Sequence, residues 1–146
     1  MNRFRNLNVL CIALVMSVVM VNVTLILLRA SGGPLFPVPP RAVVLLLFAL
    51  GVVLLVASPS VKAAVFKRAA AEGFDGDADR LFAAYQRATL AAFALREAGG
   101  LIGFVLSVMT GNPWWSWGLG GAALIAMVVD WPKPQALGWD QAPGPK

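Results

Sequence analysis

Two ionisable side chains, Arg96 and Glu97, stand together inside "LAAFALREAGGLIGFVLSVMTGNPWWSWGLGG", a run otherwise suited to a lipid bilayer. A charge within a membrane span costs about 2.5–3.5 kcal/mol on insertion scales and marks a functional position by default. Adjacent residues on a helix project about 100° apart, so the two serve different faces. Arg96 shares its face with Ala92, Gly99, Gly103 and Ser107, whereas Glu97 falls with Phe93, Leu101, Phe104 and Val108. Two readings stand open. If the span is thin, the pair lies within a turn of the cytoplasmic boundary and Arg96 snorkels to water, with Glu97 following less easily. If the contact is dry, Glu97 is a functional intramembrane carboxylate, a candidate ion or proton site that needs Arg96 or a polar neighbour.

Other chemistry is scarce. The chain has no His and a single Cys, Cys11, within an apolar run. A His/Cys metal centre, a His-dependent triad and an internal disulfide are thereby excluded. No nucleophile, base and orienting group converge, so no enzyme, metal or cofactor is expected. "DGDADR" places Asp75, Asp77 and Asp79 like the first ligands of a calcium loop, but Arg80 occupies the turn-glycine position and Gln86 the bidentate one. Asp77 or Asp79 is instead expected to cap a helix beginning near Arg80.

The elements that carry these residues follow from composition. Of 146 residues, 59% are hydrophobic and 13% charged, against about 25% charged in ordinary soluble domains. So much apolar surface in so short a chain has to face lipid. The predicted fold is all-α, an integral membrane bundle of four transmembrane helices in two hairpins. Four apolar runs at 9–28, 42–57, 89–109 and 114–129 serve as the spans, a single domain over 1–130. The first has twenty residues, enough for a hydrocarbon core of about 30 Å. It exceeds the 7–15 residues of a secretory signal core, so it is expected to be retained.

Lys and Arg outside the spans set the orientation. Arg3, Arg5, Lys62, Lys67, Arg68, Arg80, Arg87, Lys133 and Lys146 oppose only Arg29 and Arg41. That bias places both termini and the long 58–88 loop in the cytoplasm, as a bacterial cytoplasmic (inner) membrane protein. The net charge of +5 reflects this topology, and no nucleic-acid partner is expected. Trp114, Trp115 and Trp117 are expected to anchor the outer interface and Trp131 the inner one.

Between spans two and three, Ser58 and Pro59 predict the start of a short, separate interfacial helix ended by Gly73. Its Lys62, Lys67 and Arg68 suit an anionic membrane surface, or serve simply as topology signals. The outer loop "ASGGPLFPVPP" reads as irregular, and the Pro/Gly-rich tail 131–146 as disordered.

Small residues recur at helical spacing. Gly99, Gly103 and Ser107 line the third span, and Gly118, Ala122 and Ala126 the fourth. With a short "TGNP" turn between them the helices are antiparallel, Gly118 level with Ser107 and Ala126 with Gly99. The stripes are expected to pack against each other within the hairpin, the alternative being a dimer interface.

"EAGGLIGFVLSV", Glu97 to Val108, resembles the carboxylate-bearing helix of the proteolipid (c or K) subunits of rotary ATPases. In those helices an embedded Glu is followed by Gly at the third and sixth positions onward, here Gly100 and Gly103. The resemblance implies that Glu97 binds a proton or cation. The glycine-rich partner helix precedes the carboxylate helix in those subunits and follows it here. The whole chain also resembles small four-span bacterial membrane proteins, a likeness that implies no activity. The expected function is that of a small accessory or assembly subunit, packing with itself or with a larger membrane complex. The alternative is a proteolipid-like, proton- or cation-handling subunit centred on Glu97.

Overall fold

The computed structural model describes residues 2–30, 39–71 and 78–133. Among these residues all regular structure is helical, in four elements: α1 (Asn2–Ala30), α2 (Arg41–Ala71), α3 (Ala78–Thr110) and α4 (Trp114–Val129). The helices α1, α2 and α3 are long and apolar enough to cross a membrane; α4, at 16 residues, is a shorter apolar helix. At 1.5 Å per residue α2 and α3 reach about 46 and 50 Å, well beyond a hydrocarbon core. Their polar ends, 58–71 and 78–88, therefore form one extension of the bundle.

Local chemistry explains the ends. The Pro40 carbonyl accepts the Val43 and Val44 N–H groups at 2.9 and 3.3 Å and opens α2. At the end of α3, Gly111 takes a φ of +69°, the left-handed conformation that glycine adopts without strain after a helix. The Thr110 hydroxyl donates to Leu106 O at 2.7 Å and accepts the Asn112 N–H. Asn112 Oδ1 accepts the Trp114 N–H at 3.1 Å, so the "TGNP" segment is a tight, hydrogen-bonded turn into α4.

The bundle is organised around α3, which packs most extensively on α2, then on α4 and α1. Phe4 meets Phe82 and Val18 meets Gly100, so α1 runs parallel to α3. The pairs Gly103 with Trp115 and Arg96 with Asp130 make α4 antiparallel to it. Two expectations about architecture change here. The helices do not form two hairpins side by side, because α1 packs on α3 and α4 while its contact with α2 is slight. Nor is there a separate interfacial helix after Ser58, because α2 continues through Pro59 to Ala71.

The reason is local. A proline at 59 deprives the Leu55 carbonyl of its usual i+4 donor. The Ser58 hydroxyl supplies one instead, donating to Leu55 O at 2.9 Å.

The apolar core joins Leu7, Cys11 and Val18 of α1 to Phe82, Tyr85 and Phe93 of α3 and Met127 of α4. Outside it, many large side chains are bare, among them Leu27, Leu46, Val56, Ile125 and Val129. A water-soluble monomer rarely exposes apolar surface on that scale. The expected loop 31–38, Asp75 and Asp77 with the Gly73 end of the interfacial segment, and the tail from 134 lie outside the described residues. Asp79 sits in the first turn of α3. Residues 131–133 fold back: Trp131 packs edge-on to Phe93 at 6.3 Å, and the Lys133 N–H donates to the Tyr85 hydroxyl.

Candidate functional site

The Ser58 hydroxyl that repairs the proline gap also faces α3. With its proton committed to Leu55 O, its oxygen accepts Nε of Arg96 at 2.9 Å, in a buried bond. The remaining reach of that guanidinium goes to α4. Nη1 donates to Ala126 O at 3.0 Å, and Nη2 to Asp130 Oδ2 at 2.9 Å. Lys62, one turn after Ser58, donates to the other carboxylate oxygen, Oδ1, at 2.7 Å. Its ammonium lies 5.7 Å from the centre of the Tyr85 ring, within cation–π range. Ser58, Lys62, Arg96 and Asp130 thus tie three helices together at one level.

Why Arg96 tolerates burial is now clear. Its side chain is 5% exposed, yet it has one ion pair and two further acceptors. Buried charges persist when paired and hydrogen-bonded in this way. Asp130 is also the C-cap residue of α4, its backbone N–H donating to Ala126 O at 3.1 Å to close the last turn. Asp130, at 32% exposure, keeps one edge toward solvent. The cluster borders a cleft of about 560 Å³ whose other walls are mainly apolar, including Pro59, Ala63, Phe66, Ala88 and Val129.

Glu97 stands apart. It is half-buried, and among the described residues no hydrogen bond or ion pair joins it to Arg96 or to any other side chain. The two charges that are adjacent in sequence therefore belong to different environments.

The small residues divide in a similar way. A Cβ at Gly99 would come within 3.2 Å of Leu55 side-chain atoms and Gly51 O, so this position faces α2. One at Gly103 would approach Trp115 O at 2.7 Å and Leu119 Cβ at 2.8 Å, so this position faces α4. Ser107 is buried, its Oγ accepting the Ser116 N–H at 2.8 Å. On α4, however, the face turned inward is Ser116, Leu119, Gly120, Ala123 and Met127. Gly118 and Ala122 are exposed, with open space around Gly118; Ala126 is half-buried and contributes its carbonyl. The short turn makes α4 antiparallel to α3 as expected, but Ser107 meets Ser116 and not Gly118, and the α4 stripe is rotated away from α3.

A second polar contact lies toward the other end. Ser116 Oγ donates to Asn22 Oδ1 at 2.6 Å, while Asn22 Nδ2 donates to Val18 O. Of the tryptophans, Trp114 and Trp117 are exposed and stack edge-on at 5.4 Å, and Trp115 packs against Phe48. No set of three metal-ligating side chains gathers among the described residues.

Sequence reasoning missed Asp130, Lys62 and Ser58 as partners of Arg96. The signal was present: with Ala126 level with Gly99, one further turn brings Asp130 level with Arg96. Compared with known protein families, curated proteins and solved structures, the chain matches none.

Proposed function

We propose that this chain is a multi-pass membrane protein of the bacterial cytoplasmic membrane, with both termini and the charged cluster at the cytoplasmic side, acting as a small accessory or assembly subunit. The Lys/Arg asymmetry supports the orientation. The observation that carries the accessory role is the outward edge of α4. Gly118 and Gly121 have open space at their Cβ positions, and Ala122 is exposed beside them. Glycine costs a helix about 1 kcal/mol relative to alanine, and nothing among the described residues repays that cost at Gly118. A second helix packed closely on this edge would, since small residues let helix backbones approach.

Site-directed cross-linking tests the role. In a Cys11→Ala background, Gly118→Cys should form a disulfide dimer, or a cross-link to a copurifying subunit, in native membranes. Leu46→Cys, on the exposed face of α2, should form neither. Equal cross-linking at both positions, or a monomer alone after mild extraction, would overturn the accessory role.

A proteolipid-like role for Glu97 has one supporting observation. Arg96 is neutralised by Asp130, so Glu97 is not committed to its neighbour. Modification of Glu97 by a hydrophobic carbodiimide, blocked by Glu97→Gln, would favour this role, and failure to react would exclude it.

A further inference from the structure

In the cleft beside the charged cluster, spare hydrogen-bond donors, positive charge and apolar walls converge. Arg96 has five N–H groups, and three are used by Ser58, Ala126 and Asp130. One N–H on each terminal nitrogen remains without a partner among the described residues. Lys62 has three donors and uses one, on Asp130. Two cations against one carboxylate leave a local charge of +1 on the cleft wall. The Tyr85 hydroxyl, which accepts from Lys133, still has its own proton to donate.

We propose that this cleft seats the phosphodiester headgroup of an anionic phospholipid, with the acyl portion leaving over the apolar wall of Pro59, Ala63 and Phe66. A volume of about 560 Å³ lies within the ordinary range for ligand pockets. A single negative charge balances the surplus, and an amphiphile satisfies the polar and apolar walls together. Position favours the same occupant. The cluster lies at the end of the apolar helix α4, where headgroups are found, and basic pockets between helices at that depth recognise anionic lipids. Exposed Lys67 and Arg68, further along α2, add a general attraction to an anionic surface.

The proposal rests on the membrane location and not on the accessory role. Thermal unfolding of the full-length protein in a nonionic detergent provides the test, with added phosphatidylglycerol, phosphatidylcholine or inorganic phosphate. Phosphatidylglycerol should raise the midpoint saturably, with one lipid retained in native mass spectra. Phosphatidylcholine should act more weakly and inorganic phosphate not at all. Lys62→Gln should weaken phosphatidylglycerol binding about tenfold, the scale of one charge-assisted hydrogen bond. Because that change also touches the ion pair, Ala63→Trp provides a second variant that fills the cleft mouth without altering charge, and it should abolish saturation.

Lys67→Gln, away from the cleft, should change little. Equal weakening by Lys67→Gln, saturation that survives Ala63→Trp, or equal stabilisation by phosphatidylcholine would overturn the site. A matching response to inorganic phosphate would assign it to a free anion instead. Failure of the membrane location is distinguishable, because the protein would then be released from membranes by alkaline carbonate.

Discussion

Arg96 is paired with Asp130, 34 positions along the chain at 2.9 Å, and not with its sequence neighbour Glu97. Helix geometry makes the distant partner the natural one. Residues next to each other on a helix cannot face squarely, whereas an antiparallel neighbour can present a carboxylate at the same level. The sharing of Asp130 between Arg96 and Lys62 also fixes how α2, α3 and α4 meet.

Arg96→Ala should therefore be harsh, since it strips Asp130 and Ser58 of a buried partner and takes one of two donors from Ala126 O; breaking a buried pair typically costs about 3–5 kcal/mol. The discriminating measurement is a double-mutant cycle on unfolding in detergent. Arg96 and Asp130 should couple by about 1–3 kcal/mol, and Arg96 and Glu97 by less than about 0.5. A rescue of Arg96→Ala by Glu97→Gln would contradict the observed pairing.

Gly103 of α3 and Gly118 of α4 should respond oppositely. Gly103→Ala places a methyl 2.7 Å from the Trp115 carbonyl and 2.8 Å from Leu119 Cβ. Backbone cannot give way cheaply, so the change should destabilise by about 1–3 kcal/mol. Gly118→Ala meets nothing within 4 Å in the single chain, so in the dissociated monomer it should gain up to about 1 kcal/mol from helix propensity. Melting temperatures of the two variants in detergent check the pair, and equal destabilisation would mean that α4 is rotated relative to the structure.

Much of the architecture was legible because it rests on length and periodicity. The apolar runs became helices, and the short turn set α4 antiparallel to α3. Rotation about a helix axis was less legible, since Gly118–Ala122–Ala126 and Ser116–Gly120–Ala123 are both runs of small residues. What separates them is the pair of hydrogen bonds from Ser116 to Ser107 and Asn22, which draw one run inward. Asp130 was hidden for a different reason. It follows an apolar run and reads as an ordinary boundary charge, until Arg96 is placed at its level.

The contact of α1 with α4 depends on a small polar relay. Ser116→Ala removes the donor at 2.6 Å from Asn22 Oδ1 and should cost about 0.6–2 kcal/mol, the range for interhelical hydrogen bonds in membranes. A Cβ at Gly120 would sit 2.9 Å from Asn22 Nδ2, so Gly120→Ala should displace the same amide. The two changes act on one side chain, and their combined cost should fall below their sum. Full additivity in unfolding measurements would show that Asn22 is not the shared element.

The last prediction concerns how a proline prepares the arginine site. Pro59 leaves the Leu55 carbonyl without a backbone donor, and Ser58 Oγ fills that place at 2.9 Å while accepting Arg96 Nε at 2.9 Å. Ser58→Ala thus removes two bonds at once and should cost about 1–3 kcal/mol, the penalty for unsatisfied buried polar groups. Pro59→Ala alone restores an N–H for Leu55 and releases the serine proton, so it should be mild. In the double variant Leu55 O is satisfied again and only the Arg96 bond is missing. The double variant should accordingly be more stable than Ser58→Ala alone, a reversal seen by ranking the unfolding midpoints of the three proteins. If Pro59→Ala leaves the Ser58→Ala defect unchanged, the serine does not stand in for the missing backbone donor.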